Sequence, residues 1–190
     1  MTSFLDSSLL PAVLDRARAG DEAAQAEIYR AFERPVRTLA LRLVTRRAVA
    51  EDLAQDTFVE VLTSLHQYDG RGSFAGWVRS IAVSKCLMHL RSPWHRSLRW
   101  LVDEQAEPVA TQSGELDVDL ERALARLGDE ARLVVWLHDV EGYTHAEIGA
   151  LLGGTPSLSK SRLSRAHARL RELLEPAGES APCLPLSTST

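Results

Sequence analysis

Cysteine is nearly missing from this chain. Cys86 and Cys183 are far apart, so no disulfide framework can be expected to hold the fold. A reducing, cytoplasmic setting is the natural one for such a composition. Long apolar runs are missing too: none reaches the roughly 20 residues needed to span a bilayer, so no membrane insertion is expected. The first residues, Met1-Thr2-Ser3-Phe4-Leu5-Asp6, lack the basic region and apolar stretch of a secretory signal. Catalytic constellations are missing as well. His66, His89, His95, His138, His145 and His167 are scattered, none in a Ser/His/Asp or Cys/His arrangement, and no glycine loop could cradle a phosphate. Cys86 and His89 form a lone C-x-x-H, which cannot fill zinc's usual four positions, and Cys86 reads as a small buried hydrophobe. No metal, no cofactor and no active site are therefore expected, and the chain reads as a binding protein rather than an enzyme.

What is present points elsewhere. An apolar share of 45% is that of a folded protein. The net charge of −4 conceals a strong segregation. From Arg30 to Arg99 there are 12 basic and 6 acidic residues, from Trp100 to Gly154 3 basic and 12 acidic, and from Thr155 onward 5 basic and 3 acidic. Local charge governs contact with phosphates, so the two basic blocks remain compatible with nucleic acid.

Apolar residues recur at helical spacing and no strand alternation appears. The spacing predicts helices over Leu9 to Ala19, Asp21 to Val44 (with a kink or break at Pro35), Ala50 to Leu65, and Phe74 to Arg91 with Ser73 as its cap. Helices resume at Asp117 to Leu127 and Asp129 to Val140, followed by Thr144 to Leu152 and Thr155 to Leu174. Pro93, Pro108 and Thr111-Gln112-Ser113-Gly114 mark a linker, within which Trp94, Leu98, Trp100 and Leu101 could form a short packed or partner-binding segment. The tail from Pro176 is expected to be disordered.

The last two helices carry the most specific local signal. Thr144-His145-Ala146-Glu147 is a capping box, and Thr155-Pro156 reads as an N-cap with proline at the first helical position. Gly153-Gly154 lies between, completing a helix-turn-helix pattern. The second helix bears Lys160, Arg162, Arg165, Arg169 and Arg171. Its first turns would meet base edges and phosphates. On the helix from Ala50 to Leu65, Ala54, Phe58, Val61, Leu62 and Leu65 share one face, while Asp52, Asp56, Val59, Glu60 and Thr63 lie opposite. That second face could dock a basic partner or simply be solvated.

Three stretches then resemble one family. Ala50-Glu51-Asp52-Leu53-Ala54-Gln55-Asp56-Thr57-Phe58-Val59 resembles the polymerase-binding segment of sigma region 2. Tyr68-Asp69-Gly70-Arg71-Gly72-Ser73-Phe74-Ala75-Gly76-Trp77-Val78 looks like its promoter-melting segment. Glu121 to Leu174, with Glu141-Gly142-Tyr143-Thr144 and Lys160-Ser161-Arg162-Leu163-Ser164-Arg165-Ala166, is similar to region 4. Both blocks in this order, with no room for a region 3 domain between them, resemble the extracytoplasmic-function (ECF) bacterial RNA polymerase sigma factors.

The resemblance implies an all-α fold of two small helical domains: a region 2 bundle over 1–91 and a region 4 helix-turn-helix over 120–175. An acidic linker, 92–119, would join them, with the tail over 176–190. It implies that Asp52, Gln55, Asp56 and Val59 bind the clamp coiled coil of core RNA polymerase, with region 4 at the flap. Tyr68, Arg71, Trp77, Arg79, Ser84 and Lys85 would engage and melt the minus-ten element, although Trp77 could equally be a core aromatic. Ser157, Ser159, Lys160, Ser161, Arg162, Ser164 and Arg165 would read the minus-thirty-five element. Promoter DNA, core polymerase and an anti-sigma factor are the partners implied. Ser84 stands where many relatives have asparagine, and Ser157-Leu158-Ser159 replaces a common Gly-Thr-Val. A stand-alone helix-turn-helix regulator and a protein that only sequesters another factor are the rival readings. The acidic helix face speaks against the first and the basic helix against the second.

Overall fold

A computed structural model describes residues 4, 9–44, 46–92 and 115–175. These residues form helices throughout: α1 (Pro11–Arg18), α2 (Glu22–Val44), α3 (Arg47–Thr63), α4 (Phe74–Arg91), α5 (Glu115–Ala125), α6 (Asp129–Val135), α7 (His145–Leu151) and α8 (Pro156–Leu174). A 3-10 turn, Leu65–Gln67, follows α3, and a π-helical turn, Trp136–Val140, continues α6. No strand occurs among the described residues.

Two expectations shift. α2 runs unbroken through Pro35, which is buried inside it. Proline removes one helical hydrogen bond and crowds the preceding turn, at a cost of about 3 kcal/mol. Tertiary burial offsets it here, because Ile28, Phe32, Val36, Leu39 and Leu43 on the same helix are all within 1% of full burial. The helix expected from about Asp117 already begins at Glu115. The segment around Trp94 and Trp100, and the tail from Pro176, lie outside the described residues.

The first four helices pack as a bundle around an aromatic centre. Phe32 stacks on Phe4 at 6.3 Å and meets the edge of Phe74 at 5.6 Å. Tyr29 tilts over Phe58 at 4.7 Å. Offset and edge contacts of this kind add about 0.5–1.5 kcal/mol per pair beyond area burial. Cys86 is buried in this core, which pushes its thiol pKa up to about 12 and leaves it chemically inert.

The second unit, α5 to α8, is built on short-range signals. Thr144 Oγ1 accepts from the Glu147 amide, and the Glu147 carboxylate accepts in return from the Thr144 amide. These bonds hold the Glu147 carboxyl below its usual range. Thr155 caps α8 by accepting from the Leu158 amide. The turn between α7 and α8 is tight: Gly153 has φ +67°, and a Cβ on Gly149 would lie 2.8 Å from the Thr155 carbonyl carbon. Only glycine lets the two backbones approach this closely.

The two units touch. Arg132, 4% exposed at its side chain, donates Nη2 to the Leu43 carbonyl at 2.9 Å and Nη1 to the Leu127 carbonyl at 3.0 Å, and pairs with Asp129 at 2.8 Å. Leu43 lies in the last turn of α2, whose carbonyls have no helical partner and carry partial negative charge. A cation from α6 therefore caps a helix end in the other unit. Beside it Arg42 pairs with Glu121 at 2.5 Å and lies over the Trp136 ring at 5.6 Å.

Candidate polymerase and nucleic-acid interfaces

Three surfaces carry the site residues. The first is the outer face of α3. Ala50, Leu53, Ala54, Thr57, Phe58 and Val61 are buried, which turns Asp52, Gln55, Asp56 and Val59 outward. Thr57 spends its hydroxyl on the Leu53 carbonyl, 2.7 Å away, and so is tolerated inside. Val59 is 62% exposed. Among the described residues neither Asp52 nor Asp56 forms an ion pair. The face is thus acidic, with an apolar centre, and is held rigid by the helix beneath it.

The second surface is the Tyr68–Ser73 loop and α4. Ser73 caps α4 by accepting from the Gly76 amide at 3.0 Å. Tyr68 is tied into the loop: its hydroxyl donates to the Gly72 carbonyl at 2.8 Å, and its own carbonyl accepts from Arg18 at 2.6 Å. Trp77 is half-buried against Tyr68 (5.6 Å) and Phe74 (5.5 Å). Part of its ring belongs to the core and part reaches solvent. Arg71 is exposed and pairs with Asp69 at 3.1 Å. Ser84 is exposed, and Lys85 reaches Glu60 of α3 at 3.4 Å.

Arg79 is held by the second unit. Its guanidinium donates to the Glu141 carbonyl oxygen at 2.6 Å, lies 4.7 Å over the Tyr143 ring, and stands 3.7 Å from the Glu141 carboxylate. Burial pushes the Glu141 carboxyl pKa upward, with Arg79 and the Trp136 N–H only partly opposing it. Burial likewise raises the Tyr143 hydroxyl. Arg91 extends the same contact by donating to the Leu151 carbonyl. As folded here, Arg79 faces the protein rather than solvent.

The third surface is α8. Ser159, Leu163, Ala166 and Leu170 are its buried side. Ser157, Lys160, Ser161, Ser164 and Arg165 are exposed on the opposite side, and Arg162 is half-buried against Glu130 at 2.9 Å. Ser159 corrects the expectation. At 1% exposure it points inward, its hydroxyl 3.1 Å from His145 Nδ1, rather than standing on the exposed side. Leu158, which the expected set passed over, is 38% exposed in the first turn. Proline at the first helical position fixes the register from Pro156, and counting from it places 159, 163, 166 and 170 on one face. That signal could have marked Ser159 as buried and Leu158 as exposed.

Behind α8 lies a histidine cluster. The His138 and His145 rings stack at 4.4 Å, and Asp139 bonds both His138 (2.9 Å) and His167 (2.6 Å). Burial opposes ionisation of Asp139, but the two imidazole hydrogen bonds outweigh it and lower its pKa. His145 is lowered by desolvation, then by His138 and Lys160. No group of residues suited to a metal ion occurs among the described residues. Nor is any described helix long and apolar enough to cross a membrane.

Two helical units so arranged, one with an acidic helix face and one a helix-turn-helix, define a bipartite transcription-factor architecture, and comparison places it. Residues 28–96 match the Sigma-70 region 2 family and residues 117–170 the Sigma-70 region 4 family. The chain is 32% identical to the RNA polymerase sigma factor CarQ of Myxococcus xanthus, over 85% of this chain and 95% of that one. It is 35% identical to the ECF RNA polymerase sigma factor SigM of Mycobacterium tuberculosis, over 82% of this chain and 80% of that one. The fold is that of RpoE from Bartonella quintana, solved with the anti-sigma factor NepR, at a TM-score of 0.59 and 24% identity over 80% of this chain and 98% of that one. The chain belongs to the ECF RNA polymerase sigma factors. Its role is accordingly in promoter-specific transcription initiation.

Proposed function

We propose that the outer face of α3 docks on the clamp coiled coil of core RNA polymerase, that α4 and its preceding loop recognise and open the minus-ten element, and that α8 reads the minus-thirty-five element. The observation that carries this is the set Asp52, Gln55, Asp56 and Val59: all four are exposed on one rigid helix face whose acids no described residue neutralises. A stand-alone DNA-binding regulator has no use for such a face. The flap would receive the second unit, an anti-sigma factor would cover one or more of these surfaces, and the work would be done in the cytoplasm.

Asp56→Arg is expected to abolish assembly with core polymerase while changing stability by less than about 0.5 kcal/mol. Phe58→Ala, at the opposite face, is expected to destabilise the fold by about 3–5 kcal/mol. Pull-down on core enzyme and thermal melts of both variants test the pair, and full binding by the Asp56→Arg protein removes the docking face. Trp77→Ala should spare duplex binding and impair opening, because a base can stack on the ring only after leaving the helix. Permanganate footprinting of unpaired thymines beside a binding assay separates the two steps.

A further inference from the structure

A cleft of about 600 Å³ opens between the α5–α6 turn and one flank of α8. Four of its lining residues are arginines: Arg126 from the turn, and Arg162, Arg165 and Arg169 from α8. The three on α8 follow i, i+3, i+7 spacing, so they form a row about 10 Å long down one side of the helix. Two acids share the cleft. Asp129 is engaged by Arg132, and Glu130 holds Arg162. Arg169 pairs with Glu172 at 2.7 Å on an exposed surface, an arrangement easily exchanged for another anion. Arg126 is exposed, and neither it nor Arg165 has a carboxylate partner among the described residues. The cleft is thus a concave, solvent-open row of guanidiniums with more cations than its acids can neutralise.

Guanidinium forks match phosphate oxygens in shape as well as charge. The row lies on the flank of the helix whose exposed side, Ser157, Lys160, Ser161 and Ser164, would face the base edges. When a recognition helix lies in the major groove, its flanks face the strands that border the groove. We propose that this cleft is a binding site for the phosphodiester backbone of one promoter strand, with Arg126 and Arg169 as phosphate contacts, and that Glu130 opposes binding by occupying Arg162. This rests on the assignment of α8 to the minus-thirty-five element. It adds to that assignment a second wall, supplied by the α5–α6 turn, and an internal competitor for the phosphates.

The test uses the full chain assembled with core polymerase on a promoter identified by run-off transcription. Binding is measured across a salt series for wild type, Arg126→Ala, Arg169→Ala, Glu130→Gln and Lys160→Ala, and each variant's assembly with core is measured separately. Loss of one phosphate contact should lower the slope of log K against log salt by about 1, equally on the cognate sequence and on single-base variants of it. Arg126→Ala and Arg169→Ala should each do so without changing base preference. Glu130→Gln should tighten binding several-fold. Unchanged slopes in both arginine variants, with Lys160→Ala still impaired, overturn the cleft and leave the α8 assignment standing. If Lys160→Ala is also silent, the α8 assignment itself fails. Reduced assembly with core in Arg126→Ala, at an unchanged promoter slope, means that the cleft takes an acidic protein surface and overturns the proposal.

Discussion

α4 and α8 both carry cations assigned to DNA, and the two helices hold them differently. On α8, Lys160 and Arg165 stand in solvent with no carboxylate partner among the described residues. On α4, Lys85 reaches Glu60, and Arg79 is enclosed by the Glu141 carbonyl and the Tyr143 ring. To meet phosphate, Lys160 and Arg165 would need only to exchange water for it. Arg79 must first leave a neighbouring unit, so its net gain on DNA is reduced by whatever that contact is worth. In this closed arrangement Lys160 and Arg165 are open to solvent and Arg79 is not. Arg132 clamps α6 to the end of α2, a second contact between the two units.

The clamp offers the largest way to break that asymmetry. Arg132→Ala strips donors from the Leu43 and Leu127 carbonyls, and is expected to cost about 3 kcal/mol, since each buried acceptor left unsatisfied costs about 1–3 kcal/mol. Chemical denaturation should show it as a lower midpoint. An unchanged midpoint would mean that the two units do not hold each other through this residue.

A smaller effect compares the cations directly. Lys160→Ala should weaken binding at a cognate promoter by about 1–3 kcal/mol. Arg79→Ala should cost less than Lys160→Ala in the same assay, because the wild-type Arg79 spends part of its interaction on separating from Glu141. Equal losses from both would sink the comparison. The Arg79 deficit should also be salt-dependent, whereas that of Trp77→Ala should not.

The smallest effect concerns pH. The Glu141 pKa is raised in the folded chain, so its contribution to stability is complete below the ordinary carboxylate range and is lost as pH rises through the raised value. Glu141→Gln removes that loss. Its melting temperature should therefore improve relative to wild type as pH increases from the acid side to neutrality, and the difference should be smallest at low pH, where wild-type Glu141 is protonated. A difference between the two proteins that does not vary with pH would show that Glu141 is solvated rather than buried against Arg79.

Much of this was legible in the chain because its causes are local. The Thr144–Glu147 box, the Thr155 cap before Pro156, the Ser73 cap and the opposed faces of α3 each depend on residues within a few positions of one another. Helical periodicity brought Asp52, Asp56, Val59, Glu60 and Thr63 to one face of α3, and all five are exposed there. Local rules also misled. They expected a kink or break at Pro35, and the break does not occur, because they count the lost hydrogen bond and not the burial of Phe32, Val36 and Leu39 that outweighs it. They put Ser159 among DNA contacts because a serine in the first turn of a basic helix reads as polar surface. Its partner, His145, lies 14 residues away on a different helix.

The sequence by itself determined the elements, their caps, the helix-turn-helix and the family, since each rests on residue type and spacing within a few turns. Tertiary structure alone decided which of those residues are free to act. Arg79 meets Glu141 across 62 positions, Arg132 reaches Leu43 across 89, and Arg126 comes to the flank of α8 only because the α5–α6 turn folds back upon it. A guanidinium is long and can satisfy any exposed carbonyl, carboxylate or aromatic face within its reach. Its partner is set by which backbone the packing brings near, and no local pattern in the chain records that choice.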